Sequence, residues 1–125
     1  MKEFCNDLTV LVVEDEWLVR DDIAGRFRQD GWTVLEAATG DDALKWLRET
    51  QTIHLLVTDI SLADAMTGWD VAEAVRKVHA QIAVVYATGG ANDENRRVPE
   101  SIFLSKPVAV QELIITCDRL LSARR

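Results

Sequence analysis

"VLVVEDE", residues Val10–Glu16, joins an apolar, largely β-branched run directly to three acidic side chains. Two later stretches have the same form: "LLVTDI" (Leu55–Ile60) and "VVYATGG" (Val84–Gly90), whose polar residues are an aspartate and a threonine. Runs that are apolar at nearly every position are typical of strands buried on both faces of a parallel sheet. The three stretches therefore predict the centre of such a sheet, with polar groups where its strands end.

Helical patterns alternate with these strands along the chain. We predict strands over residues 8–14, 32–37, 54–59, 82–87 and 102–104. We predict helices over residues 16–30, 41–49, 69–79 and 108–122. This alternation predicts an α/β fold, a doubly wound five-stranded parallel sheet with helices on both faces. The second and fifth strands are shorter or more polar, as edge strands are, which favours the flavodoxin-like order 2-1-3-4-5.

The connection between the fourth and fifth strands departs from this regular alternation. Only 13 residues, Gly89–Ser101, must supply a loop, a helix and another loop. They contain two glycines and Pro99, and they lack an apolar stripe that could pack on the sheet. Because glycine and proline disfavour helix interiors, we expect a short or irregular fourth helix, at best one or two turns around Asp93–Arg97.

Length and composition restrict the class of protein. The chain has 125 residues and is 48% hydrophobic, which predicts one globular domain over residues 1–125 with its core at about 8–121. The net charge of −7 argues against direct nucleic-acid binding and suits a cation site or a basic partner surface. We find neither a signal peptide nor an apolar run long enough to span a membrane, so we expect a cytoplasmic protein.

Three residue types give further expectations about packing. Cys5 and Cys117 lack the spacing of a metal site, so we read both as free thiols, the second of them in the core. Val78 is expected to face the core from the helix predicted over residues 69–79. The four tryptophans are expected to be core or half-buried residues; they are Trp17, Trp32, Trp46 and Trp69.

The polar groups at the strand ends form one predicted site. In a doubly wound sheet the binding site lies beyond the carboxyl ends of the strands. The side chains that follow those ends are Glu14, Asp15, Glu16, Asp59, Thr88 and Lys106. Crowded carboxylates favour a hard cation with oxygen ligands, which points to Mg²⁺. A cation, an ammonium and a hydroxyl around one carboxylate suit a phosphoryl group on Asp59. Glu16 alone has the simpler interpretation of favouring a helix N-terminus.

These motifs, in this order, resemble the receiver domain of two-component response regulators over roughly residues 8–121. "VLVVEDE" resembles its acidic pair, "LLVTDISL" its phosphoacceptor strand, "VVYATGG" its switch-threonine strand and "FLSKP" its lysine–proline motif. The resemblance implies that Asp59 is the phosphoacceptor and that Thr88 and Lys106 bind phosphoryl oxygens. It implies Mg²⁺ ligands at Glu14, Asp15, Asp59 and the backbone carbonyl of Ser61, and a cis peptide between Lys106 and Pro107.

Several positions depart from the common receiver pattern. Glu14 stands where Asp is more frequent, and Ala63 stands where proline is common. Gly68 comes one residue late, which indicates an insertion in that loop. Phe103 occupies the aromatic switch position, where Tyr is frequent, and it lacks a hydroxyl. "YATGGA" also resembles the Phe-Ala-Thr-Gly motif of the FAT GUY group of single-domain response regulators, with Tyr86 in place of the Phe.

The resemblance implies a phosphoacceptor response regulator of a two-component system or phosphorelay. Because the sequence ends at Arg125, soon after the last predicted helix, we expect a stand-alone receiver, with a piece of a longer protein as the alternative. It would accept a phosphoryl group from a histidine kinase or histidine phosphotransferase and switch a surface that binds an unidentified output protein. It would not be an enzyme beyond transferring and slowly losing its own phosphoryl group. The alternative within the family is a receiver-like interaction module that works without phosphorylation.

Two other classes share parts of this pattern. A haloacid-dehalogenase-like phosphatase also uses a nucleophilic aspartate and Mg²⁺, but it needs a second acid two residues later, where this chain has Ser61. A flavodoxin-type module cradles phosphate in a glycine- or hydroxyl-rich loop after the first strand. Here that loop is "EDEW", which would repel phosphate in the absence of a metal.

Overall fold

The structure, a computed structural model, describes residues 7–123 and contains five strands and four helices within that range. The strands are β1 (Thr9–Val13), β2 (Thr33–Ala37), β3 (Leu55–Thr58), β4 (Ala83–Thr88) and β5 (Ser101–Ser105). The helices are α1 (Trp17–Gln29), α2 (Gly40–Glu49), α3 (Gly68–Val78) and α4 (Val110–Ser122). Both ends of every one of these strands and helices lie within two residues of the predicted bounds.

The strands form one parallel sheet in the order β2-β1-β3-β4-β5, which confirms the predicted doubly wound topology. β1 lies between its two neighbours with Val13 in register with Ala37 of β2 and with Thr58 of β3. β4 pairs with β3 on one side and β5 on the other, where Thr88 is in register with Ser105. Because all five strands run in the same direction, their carboxyl ends lie at one edge of the sheet.

The apolar runs of the central strands serve two separate cores. Leu11, Val13 and Leu56 face the core that α2 and α3 cover. Val10 and Val12 face the opposite core, which α1 and α4 cover. Successive side chains of a strand point to opposite faces, so a strand buried on both faces must be apolar throughout. The same arrangement confirms that Cys117 is a buried free thiol of α4, whose pKa burial raises to about 12. Cys5 lies outside the described residues.

The helix ends follow local sequence signals. The Thr39 side chain accepts a hydrogen bond from the Asp42 backbone N–H and caps α2. A full reciprocal capping box occurs at the start of α3, where Thr67 and Asp70 bond each other's backbone N–H groups. Gly31, two residues after the end of α1, has a φ of 88°, a left-handed conformation that glycine adopts readily.

The β4–β5 connection contains a turn in place of a helix. The backbone N–H groups of Arg96 and Arg97 both donate to the Asp93 carbonyl oxygen, which gives a single turn at the predicted position. The C-terminal half of the connection is tied down, because the Val98 N–H donates to the hydroxyl of buried Tyr86 at 3.2 Å. Arg96 also bridges to α3, with its guanidinium 2.9 Å from the Asp70 carboxylate.

Two packing expectations are wrong. Trp17 is 64% exposed, because it is the first residue of α1 and the buried residues of that helix come later, at Ile23, Ala24 and Phe27. Val78 is 60% exposed, because it is the last residue of α3. Trp32 and Trp69 are buried and Trp46 is half-buried, as expected. Within residues 7–123, no helix has the length and apolar character needed to cross a membrane.

Gly68 is required at the start of α3 by a close backbone approach. A Cβ atom at this position would lie 2.0 Å from the carbonyl oxygen of Asp59. We expect Gly68→Ala to lower the free energy of unfolding by about 1–3 kcal/mol or more, since backbone must move to relieve the overlap. Urea unfolding measures this change.

Gly25→Ala is the matched control for this substitution. Gly25 lies inside α1 with open space where its Cβ would be. We expect Gly25→Ala to raise the free energy of unfolding by about 0.5–1 kcal/mol, because alanine favours a helix interior more than glycine does. A Gly68→Ala variant as stable as the parent would contradict the close approach.

Candidate functional site

Three carboxylates converge at the carboxyl edge of the sheet. Glu14 and Asp15 follow β1, and Asp59 follows the adjacent strand β3. The Asp59 backbone N–H donates to the Val13 carbonyl oxygen at 2.9 Å, which extends the β1–β3 pairing to the site itself. One carboxylate oxygen from each acid lies within 4.8 Å of the others. Register between two central strands therefore brings together the acids that the sequence predicted.

Lys106 places its ammonium between two of these acids. Its Nζ atom lies 2.5 Å from Oε1 of Glu14 and 2.9 Å from Oδ2 of Asp59. The Lys106 backbone N–H donates to the Thr88 carbonyl oxygen at 2.8 Å, which extends the β4–β5 pairing by one residue. The Lys106–Pro107 peptide is cis, as the family resemblance implied. The ends of β1, β3 and β5 thus meet through one lysine side chain.

The two oxygens of Asp59 have different surroundings. Oδ1 accepts hydrogen bonds from the backbone N–H groups of Ile60 at 2.6 Å and Ser61 at 3.3 Å. Oδ2 accepts from Lys106. Burial by itself raises the pKa of this carboxyl, but hydrogen bonds from Thr88 and Lys106 outweigh burial and hold the pKa of Asp59 below its ordinary value. Asp59 is therefore held as a carboxylate, the form that can act as a nucleophile.

Glu14 and Lys106 respond to burial in different ways. Burial raises the pKa of Glu14 above its ordinary value, despite the hydrogen bonds from Lys106 and from the backbone of Glu16. Burial by itself lowers the pKa of Lys106, but its bonds to Glu14 and Asp59 outweigh that effect and raise the pKa. Lys106 therefore stays charged. Glu14, the most deeply buried acid of the site, is the acid that a nearby cation would stabilise most.

The donor set fits a hard divalent cation. Glu14, Asp15 and Asp59 offer carboxylate oxygens, the ligand type that Mg²⁺ prefers. Three carboxylates and one ammonium leave two negative charges, which a divalent ion would neutralise. Ser61 forms an isolated β-bridge with Thr67, and the role of its carbonyl as a ligand stays a prediction. Glu16 is exposed and its backbone N–H donates to Glu14 Oε2, so its observed contribution is to orient Glu14.

Thr88 and Phe103, the two predicted switch residues, lie in the neighbouring strands β4 and β5. Thr88 is buried, and its hydroxyl stabilises the Asp59 carboxylate. The same hydroxyl oxygen accepts a hydrogen bond from the Gly90 N–H at 3.2 Å. Phe103 is half-buried, and its ring stacks on Trp69 with centroids 6.3 Å apart. Trp69 in turn contacts the Tyr86 ring, with centroids 4.8 Å apart. The switch aromatic therefore belongs to a three-ring cluster that the sequence did not reveal.

Arg20 is a residue of this region that the sequence prediction missed. Its Nη1 donates to the Glu14 carbonyl oxygen at 2.8 Å, and its Nε lies 3.2 Å from the Glu36 carboxylate. No sequence pattern signals this contact, because it joins α1 to β2 and depends on how both lie against β1.

Comparison with known proteins gives a consistent result. The family model for the response regulator receiver domain matches residues 10–118. The alkaline phosphatase synthesis transcriptional regulatory protein SphR of Synechococcus elongatus is 32% identical over 124 residues, covering 90% of this chain and 48% of SphR. Sensor kinase CckA of Brucella abortus is 33% identical over 118 residues, covering 90% of this chain and 12% of CckA. The chain thus spans about half of SphR and a small part of CckA.

Solved structures agree with the sequence relatives. The crystal structure of a response regulator receiver protein from Sinorhizobium medicae superposes with a TM-score of 0.88 at 31% identity, covering 96% of this chain and 98% of that chain. The receiver domain of the hybrid histidine kinase CckA superposes with a TM-score of 0.74 at 28% identity, covering 90% and 98% of the two chains.

Removing the lysine ammonium should change how stability depends on pH. In Lys106→Met the pKa values of Glu14 and Asp59 rise, because burial then acts without the opposing cation. A carboxyl whose folded pKa is raised destabilises the fold once pH exceeds the unfolded pKa of about 4. We therefore expect Lys106→Met to lose stability relative to the parent as pH rises from about 3 to 7, measured by urea unfolding without Mg²⁺.

Lys77→Met is the control for this measurement. Lys77 is exposed in the last turn of α3, so its replacement removes the same charge without touching the acids. Its pH profile should follow that of the parent. Parallel profiles for Lys106→Met and Lys77→Met would contradict the coupling between the ammonium and the two carboxylates.

Proposed function

The chain belongs to the response regulator receiver domain family, and we propose from this premise that it accepts a phosphoryl group on Asp59. The observation that carries the proposal is the placement of Lys106 between Glu14 and Asp59, with the Thr88 hydroxyl beside the same aspartate. In this proposal Asp59 is the nucleophile, Lys106 and Thr88 donate hydrogen bonds to the phosphoryl oxygens, and the cluster of acids at the same edge of the sheet binds the cation.

The proposed transfer step forms one bond and breaks another. An Asp59 oxygen attacks the phosphorus of a phosphohistidine, the new O–P bond forms, and the P–N bond breaks. Its electron pair stays on the imidazole nitrogen of the donor. Lys106 and Thr88 donate hydrogen bonds to the phosphoryl oxygens. Mg²⁺, held by Glu14, Asp15, Asp59 and the Ser61 carbonyl, would supply the charge neutralisation that the phosphoryl group needs.

The proposed switch uses the same two donors. Phosphorylation adds close to two negative charges at Asp59, and each charge-assisted hydrogen bond to them contributes about 1.5–3 kcal/mol. Inverting a 1:99 equilibrium needs about 5.5 kcal/mol, so the bonds from Thr88 and Lys106 nearly suffice. Movement of Thr88 toward the phosphoryl group makes room for Phe103 to turn further inward against Trp69.

The β4–β5 connection is the proposed output surface. Gly90 is joined to the Thr88 hydroxyl through its backbone N–H, whereas Arg96 and Val98 are tied to α3 and to Tyr86. Movement of Thr88 therefore acts on the exposed segment 89–95 and leaves its C-terminal anchor in place. A segment without a regular helix presents a different surface to a partner than a helix would.

The remaining parts of the proposal concern partners and context. The phosphoryl donor is a histidine kinase or histidine phosphotransferase, the class of system to which the relatives belong, and the output protein is unidentified. The chain has no enzymatic role beyond its own phosphoryl transfer and dephosphorylation. We propose that it acts in the cytoplasm, where ATP-dependent kinases supply the phosphoryl group. Membership of the FAT GUY group stays a prediction.

Phosphorylation of Asp59 can be tested directly with a small phosphoryl donor. We expect acetyl phosphate with Mg²⁺ to add one phosphoryl group to the parent and none to Asp59→Asn, measured by intact-protein mass spectrometry. Asp64→Asn is the control, because Asp64 is a half-buried carboxylate of the same β3–α3 loop that bonds the start of α2 and lies outside the acid cluster, so it should be labelled like the parent.

Each outcome of this experiment has a distinct meaning. Labelling of the parent that survives in Asp59→Asn would contradict the assignment of the acceptor. A parent that takes up no phosphoryl group, either from acetyl phosphate or from phosphorylated histidine kinases, would favour the interaction module that works without phosphorylation.

The output surface can be tested by amide hydrogen exchange with and without beryllofluoride and Mg²⁺. We expect changed protection in residues 89–95 and at Phe103, because both respond to Thr88. The Val98 amide should change little, since Tyr86 holds it. Identical exchange of residues 89–95 in both states would contradict their role in the switch.

A further inference from the structure

Arg20 connects the acidic loop to a strand that contributes no acid to the site. Its guanidinium donates from Nη1 to the Glu14 carbonyl oxygen at 2.8 Å and from Nε to Oε1 of Glu36 at 3.2 Å. Glu36 lies in β2, the edge strand next to β1. The Arg20 side chain is 20% exposed and that of Glu36 is 30% exposed, so both groups are largely shielded from water.

The Glu14 backbone is consequently fixed at both of its polar groups. Its N–H donates to the Ala37 carbonyl oxygen at 2.9 Å, and its carbonyl oxygen accepts from Arg20. Both restraints lead to the end of β2. Because the peptide unit is planar, fixing the Glu14 carbonyl also fixes the direction in which the chain enters Asp15.

Asp15 is the acid with the greatest need of such a restraint. It is exposed, whereas Glu14 and Asp59 are buried and bonded to Lys106. Its carboxylate nevertheless lies within 4.8 Å of theirs, as part of the candidate metal site. The position of its backbone decides whether its oxygen reaches the other two.

We propose that Arg20 is a positioning residue of the metal site. By tying the Glu14 carbonyl oxygen to the Glu36 carboxylate, it holds the acidic loop in the arrangement that binds Mg²⁺. This inference rests on the proposed function, since it assumes that the three acids bind the ion. The Arg20 guanidinium bonds the Glu36 carboxylate and the Glu14 backbone carbonyl, so in this proposal it acts through the loop and not as a ligand.

The sign of the effect separates positioning from simple electrostatics. Arg20 carries a positive charge close to a cation site, so its removal should strengthen Mg²⁺ binding if charge alone mattered. Positioning predicts the opposite result. Partners that orient metal ligands from outside typically contribute 10-fold or more to affinity.

The test is a Mg²⁺ titration of the full chain, followed by tryptophan fluorescence, in the parent, Arg20→Met and Arg28→Met. We expect the half-saturating Mg²⁺ concentration to rise roughly 10-fold in Arg20→Met. Arg28→Met is the matched control, because Arg28 also pairs with Glu36, at 2.9 Å, but has no bond to Glu14. Its half-saturation should stay near that of the parent.

A second readout distinguishes positioning from general damage to the fold. The rate of acetyl phosphate labelling, measured against Mg²⁺ concentration, should reach the parental value in Arg20→Met once Mg²⁺ is saturating. A variant that is merely less folded would lose maximal rate instead. Arg20→Lys keeps the charge and the aliphatic stem but has a single ammonium, so it should also bind Mg²⁺ more weakly than the parent.

The outcomes separate this inference from the function on which it rests. A parent that shows no saturable response to Mg²⁺ in either assay would overturn the proposed metal site itself. A parent that binds Mg²⁺ while Arg20→Met binds it equally well or more tightly would overturn only the role of Arg20. Equal weakening in Arg20→Met and Arg28→Met would also overturn it.

Discussion

The ammonium of Lys106, placed between the carboxylates of Glu14 and Asp59, is the interaction on which the site depends. Two acids this close and this buried would otherwise repel each other, and burial would protonate at least one of them. The hydrogen bond from the lysine helps to keep Asp59 ionised. It does not balance Asp15 as well, so the site retains negative charge for a cation.

This interaction is possible because the fold delivers its three members from three strands. β1 and β3 are neighbours at the centre of the sheet, and β5 reaches the site from beyond β4. The two cores on either face hold the strands in a single register, since a slip by one residue would exchange the side chains of the two faces. The energy that positions the reactive groups thus comes from apolar packing elsewhere in the domain.

The sequence predicted the sheet order and the convergence of Glu14, Asp15, Asp59, Thr88 and Lys106, because both depend only on strand periodicity and direction. It also predicted, from glycine and proline content, that the segment after β4 forms at best a short or irregular helix. It could not predict contacts between side chains that meet only in the folded chain. The bonds from Arg20 to Glu36 and to the Glu14 carbonyl require the β1–β2 register, and the Trp69 cluster around Phe103 requires the packing of α3. The exposure of Trp17 was missed for a related reason, since periodicity does not show where a helix extends past its sheet.

A crystal structure with Mg²⁺ and beryllofluoride tests the central claim most directly. The account predicts a beryllofluoride adduct on the Asp59 carboxylate, with Lys106 and Thr88 bonded to its fluorine atoms. It also predicts a metal ion on Glu14, Asp15 and Asp59 and on the Ser61 carbonyl. A structure obtained under the same conditions with an unmodified Asp59, and with Lys106 still bridging it to Glu14, would contradict the account.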